Sequence, residues 1–96
     1  MEFLKNRGFT DDEINEIVER YDEDTINTII FNQDLIEEVV DYMIEFGIKN
    51  IPKLMLERID IFYLPKYKIQ ELFSHYEKDS VIKSLEYDST IFDEME

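Results

Sequence analysis

The chain of 96 residues contains no cysteine, no tryptophan, a single histidine, two glycines and two prolines. Without cysteine there is no disulfide, no thiolate nucleophile and no cysteine-ligated zinc, which fits a reducing cytoplasm. So few glycines and prolines argue against an all-β fold, whose many tight turns depend on them. No apolar run approaches the roughly 18–20 residues that a membrane-spanning helix needs. Glu2 beside Phe3, Leu4, Lys5 and Asn6 does not make a secretion signal either. The expectation is one soluble, cytoplasmic, all-α acidic domain over residues 1–96, with no membrane partner.

Acid is what the chain has in excess. Its formal charge is −14, from 24 Asp and Glu against 10 Lys and Arg. The excess is lopsided: residues 1–48 hold 14 acids and three bases, residues 49–96 ten acids and seven bases. Within the second half, Lys49, Lys53, Arg58, Lys66 and Lys68 face only Glu57 and Asp60 over residues 49–68. A net field of this sign repels nucleic acid and anionic membranes and draws in basic protein surfaces.

Apolar spacing predicts five to eight mostly short helices in antiparallel pairs. Ile14, Ile17, Val18 and Tyr21 form one stripe at i, i+3, i+4 and i+7, predicting a helix over Asp11–Tyr21. Thr10 and Glu13 have the spacing of a capping box at its start. Leu35, Ile36, Val39, Val40, Met43 and Phe46 predict a second helix over Asp34–Phe46, with Asp34 and Glu37 as another box and Gly47 as its stop. Thr25–Phe31 is read as a short helix between them, and Phe3 and Leu4 as a short one that Gly8 ends. Pro52 and Pro65 each stand where a helix starts. The second of these carries Ile69, Leu72, Phe73 and Tyr76 on one stripe, which places Tyr76 with Tyr21 in the core. Tyr42 falls at a stripe edge, and Tyr63 and Tyr67 are expected to pack at least partly. Two further short pieces surround Val81, Ile82 and Leu85, and Ile91, Phe92 and Met95.

Three junctions align: Arg20-Tyr21-Asp22, Arg58-Ile59-Asp60 and Glu86-Tyr87-Asp88. Each Asp is followed four residues later by an apolar anchor, Ile26, Leu64 or Phe92. Gly8-Phe9 and Gly47-Ile48 precede the first two junctions, and the third unit lacks the glycine. With Phe3-Leu4 and Tyr42-Met43 ahead of those glycines, the pattern resembles the helical repeat of the mitochondrial transcription termination factor family, as two to three degenerate units. The resemblance implies stacked helical units and, in that family, nucleic-acid binding through basic helices. Here Asp replaces the expected proline at positions 22, 60 and 88, where it can cap the next short helix. The charge of −14 opposes the nucleic-acid role.

Sequence motifs for chemistry are missing. Asp22-Glu23-Asp24 opens like a calcium loop, but Asn27, Gln33 and Ile26 stand where glycine, glutamate and an oxygen ligand belong. Glu71, His75 and Asp79 share an i, i+4, i+8 spacing that a metal site or proton relay would use, which a lone histidine makes weak. No phosphate-binding glycine loop or nucleophile elbow occurs. No catalytic residue, metal or cofactor is expected, and the protein is read as non-enzymatic.

The most distinctive pattern is a pair of acidic rows. Asp12, Glu16 and Glu19 line the polar face of the first long helix, and Glu37, Asp41 and Glu45 that of the second. Like charges at i, i+4 cost each helix a few tenths of a kcal/mol, roughly, where lysines would have been favourable. The leading expectation is therefore a module that binds a protein partner through that partner's basic surface. Such a module could act as an inhibitor or nucleic-acid mimic of the anti-restriction or anti-CRISPR type. The alternatives are a nucleic-acid binder using Lys49, Lys53, Arg58, Lys66 and Lys68, and a structural or assembly subunit, including a homodimer.

Overall fold

The computed structural model of the chain describes Met1 to Met95. The described residues form nine helices and no strand, arranged as three successive triplets. The first holds α1 (Glu2–Lys5), α2 (Asp11–Arg20) and α3 (Glu23–Phe31). The second holds α4 (Gln33–Phe46), α5 (Ile51–Glu57) and α6 (Ile59–Phe62). The third holds α7 (Lys66–Ser74), α8 (Lys78–Tyr87) and α9 (Ile91–Met95). The opening helices pack in order, α1 on α4 and α4 on α7, while α2 packs on α5. The stack measures 35 × 22 × 22 Å with a radius of gyration of 12.8 Å, close to the roughly 13 Å of a single globule this long.

Local chemistry sets the turns. Gly8 (φ 93°) and Gly47 (φ 102°) both sit in the left-handed region. At the first, the Phe9 amide donates to the Leu4 carbonyl and Gly8 to Lys5; at the second, Ile48 donates to Met43 and Gly47 to Ile44. These are two copies of one helix-ending motif, and the residue after each glycine, Phe9 or Ile48, is buried. Alanine at either position is strained by about 1–2 kcal/mol on backbone grounds alone. A Cβ at Gly8 meets nothing, whereas one at Gly47 lies 3.2 Å from Ile82 Cδ1. Gly47→Ala is therefore expected to cost more than Gly8→Ala in urea unfolding, and equal costs would contradict the Ile82 contact.

The capping box at α2 is present in full. The Glu13 amide donates to Thr10 Oγ1 at 3.1 Å, and the Thr10 amide to Glu13 Oε1 at 2.9 Å. Asp22 caps α3 by accepting from the Thr25 amide at 2.8 Å, and hydrogen bonding to Thr25, through its side chain first and its amide second, holds the Asp22 carboxyl below the ordinary aspartate value. Asp88 accepts from the Thr90 amide and hydroxyl.

Several expectations are corrected. Among the described residues the count is nine, not five to eight, because Arg58 (φ −141°, ψ 65°) breaks the chain between α5 and α6. Asp60 does not cap α6; it lies inside that helix, with its carboxylate turned to Arg58. The Asp34–Glu37 box does not form, since α4 starts at Gln33, directly after Asn32 ends α3. The Asn32 amide and side chain both donate to the Thr28 carbonyl, and the Ile36 amide donates to Asn32, so the joint needs no such box. Val18 and Tyr76 are each 46% exposed instead of in the core. Ile14, Ile17 and Tyr21 suffice for the narrow stripe that α1 and α5 cover, and Tyr76 falls beyond the last turn of α7. Tyr67 is 69% exposed, on the outer side of the first turn of α7.

The core runs the length of the stack, from Phe3 and Leu4 through Ile17, Ile36 and Met43 to Phe92. Among the described residues no polar or charged residue is buried. Phe73 on α7 is the meeting point of the last two triplets: its ring lies 4.9 Å from Phe46, 6.1 Å from Tyr42 and 6.4 Å edge-on from Phe92.

Candidate partner-binding surface

Helix α2 presents Asp12, Glu16 and Glu19 to solvent on the face away from fully buried Ile17. None of the three forms an ion pair among the described residues, whereas their neighbour Asp11 meets Lys5 at 3.4 Å. The helix is held at both ends. The Thr10–Glu13 box fixes its start, and at its close the Tyr21 hydroxyl reaches the carbonyls of Leu56 (2.6 Å) and Met55 (2.9 Å) on α5. Burial raises the Tyr21 phenol above its ordinary value, so it stays a donor.

The row on α4 is partly spent within the molecule. Arg7, just past α1, donates through Nε and Nη2 to the two Asp41 oxygens at 2.8 and 3.3 Å, and its Nη2 lies 3.6 Å from Glu37. Its Nη1 donates to the Phe3 carbonyl, and the Asp41 bond raises the guanidinium's affinity for its proton. Glu45 stays exposed and outside any ion pair among the described residues, as do Asp34 and Glu38 on the same face. Helix α2 packs on α1 and α5, and α4 on α1, α3, α5, α6 and α7.

In the basic segment one of the five cations is already engaged within the molecule. Arg58 is consumed by two carboxylates, donating to both Asp60 oxygens (3.0 and 2.9 Å) and both Asp93 oxygens (2.7 and 3.3 Å). It also reaches the Ser89 carbonyl at 3.3 Å, tying the second triplet to the third. These bonds raise the guanidinium's proton affinity and hold the Asp60 carboxyl below its ordinary value. Lys49, Lys53 and Lys66 are exposed on three different segments, and Lys68 is half-buried.

The other motifs settle into structural positions. Asp22-Glu23-Asp24 forms the cap and first turn of α3. The Glu71–His75–Asp79 row is broken, since α7 ends at Ser74 and α8 begins at Lys78. Among the described residues no group of three or more His, Asp or Glu is placed to hold a metal. A cleft of about 260 Å³ lies between α5 and the α8–α9 turn, lined by Lys53, Leu54, Glu57, Leu85 and Tyr87 among others. Its volume falls below the roughly 300–1,000 Å³ of small-molecule pockets.

Sequence reasoning missed the exposed large apolar side chains: Phe31 and Tyr87, each 88% exposed, and Ile30 at 48%. The signal for Phe31 was its seven-residue spacing from Asp24, which puts it on the polar face of α3. Comparison with known protein families, curated proteins and solved structures yields no match. Among the described residues, no helix is long and apolar enough to cross a membrane.

Proposed function

We propose that the protein is a non-enzymatic binding module whose α2 face docks on the basic surface of a protein partner, as an inhibitor or nucleic-acid mimic would. The observation that carries this reading is the row of Asp12, Glu16 and Glu19, exposed and without internal cations on a helix fixed at both ends. Carboxylates without an internal cation are available to a partner, whereas Arg7 already pairs with part of the α4 row. Glu37, Asp41 and Glu45 add to the long-range field that steers encounter, with Glu45 their one member outside an ion pair among the described residues. The charge and the internal engagement of Arg58 argue against the nucleic-acid role that the resemblance to termination-factor repeats implies.

The test is a capture experiment at two ionic strengths with the wild type and the triple variant Asp12→Lys, Glu16→Lys, Glu19→Lys. A protein retained at low salt should be lost at high salt, because exposed charges are screened beyond about 8 Å at physiological ionic strength. The triple variant should weaken capture at least about tenfold, mainly through slower association. Undiminished capture by the triple variant would sink the α2 reading. A gel shift with DNA and RNA at low salt tests the alternative, and binding that Lys49→Glu with Lys53→Glu abolishes would favour it.

A further inference from the structure

The inner side of α3 is accounted for by the core: Ile29 is fully buried, and Thr25 and Ile26 are half-buried. Its outer side carries Glu23, Asp24, Asn27, Ile30 and Phe31, all exposed. Helical spacing groups them on one face, Glu23, Asn27 and Ile30 at i, i+4, i+7 and Asp24, Asn27 and Phe31 at i, i+3, i+7. The face is divided along its length, with carboxylates in the first turn and two large apolar side chains in the last. Helix α4 is the neighbour against which α3 is closely packed. Folding gains nothing evident from Phe31, which keeps 88% of its surface in water beside half-exposed Ile30.

We infer that this face is a docking surface for an amphipathic basic segment of the partner, with Phe31 and Ile30 as its apolar anchor and Glu23 and Asp24 as its charge match. The inference rests on the basic-partner reading and adds to it the partner's chemistry: lysines or arginines one to two helical turns from apolar side chains. Charge complementarity selects that occupant, since Glu23 and Asp24 belong to no ion pair among the described residues and a second copy of this chain would bring its own acidic field against them. A purely cationic surface would leave the aromatic anchor unused, and a purely apolar one would strand the carboxylates. Exposed aromatic side chains that bury on association supply much of an interface's affinity.

The experiment uses two probes, an amphipathic Lys/Leu peptide and an oligolysine of equal charge, each titrated into the ¹⁵N-labelled 96-residue chain. The amphipathic peptide should shift the amide resonances of Asn27, Ile30 and Phe31. The double variant Ile30→Ala, Phe31→Ala should weaken it at least about tenfold. Oligolysine binding should not change, and circular dichroism should show the variant folded, because both side chains lie outside the core. Amphipathic-peptide shifts confined to α2 and α4, indifferent to the double variant, overturn the α3 surface and leave the basic-partner reading standing. Failure of both peptides to bind at low salt overturns both. Concentration-dependent broadening at Phe31 without peptide makes a second copy the occupant and overturns the inference.

Discussion

Phe73→Ala is expected to destabilise the protein by about 3–5 kcal/mol, the cost of emptying a large aromatic site in a packed core. Phe73 is 2% exposed and stands among Tyr42, Phe46 and Phe92, side chains of both the second and the third triplets. Domains of this size hold only about 5–15 kcal/mol in total, so the loss takes a large share. At about 4–8 °C per kcal/mol, the thermal midpoint should fall by at least about 12 °C. Phe31→Ala serves as the control: at 88% exposure it should leave the midpoint nearly unchanged. A small shift for Phe73→Ala in a calorimetric scan would mean that the junction collapses around the vacancy, and that the aromatic cluster is not what joins the triplets.

The second large effect is expected at Arg58. Its guanidinium bonds two carboxylates and a carbonyl, and its side chain is 18% exposed. Arg58→Met keeps the aliphatic stem but releases Asp93 and hence α9. Because Asp60 and Asp93 remain largely exposed, solvent screens the pairs, and the loss should be about 1–2 kcal/mol. Amide exchange should quicken most at Phe92 and its neighbours on α9. The pH dependence has a definite sign. Asp60 has its carboxyl pushed below the ordinary value, first by the Arg58 hydrogen bond, so its contribution is present above the unfolded value near about 4. As the pH drops through the folded value, that contribution disappears. The gap in urea stability between wild type and Arg58→Met should therefore be full at neutral pH and narrow below about pH 4.

Helix positions were legible in the sequence because they follow from spacing and end chemistry, both local. Thr10 with Glu13, Gly47 and Pro65 mark α2, α4 and α7 within a residue or two of their observed ends. Gly8-Phe9 and Gly47-Ile48, paired in the sequence, close their helices with the same hydrogen bonds. What was not legible depends on distant partners. Nothing local in Arg7 or Arg58 shows that each will spend its charge 34 or 35 residues away, on Asp41 and on Asp93. That pairing engages Arg58 of the basic segment and part of the α4 row within the molecule. The Asp34–Glu37 box had correct spacing but no free helix end to serve, because Asn32 joins α3 to α4. Val18 misled for a related reason: a periodic stripe says which residues could be covered, and the number of neighbouring helices decides which are.

The Tyr21 hydroxyl on the α5 carbonyls bears on the cost of association as well as on folding. A recognition helix that had to settle into place would give up part of its binding free energy to ordering. Here the end of α2 is pinned to the next triplet by a hydrogen bond of 2.6 Å, and its start is closed by the capping box. On the proposed reading, the three free carboxylates are thus held at a fixed pitch before a partner arrives. A surface set in advance selects for partners whose cations match that pitch. Tyr21→Phe should blur the selection while leaving every charge in the sequence untouched.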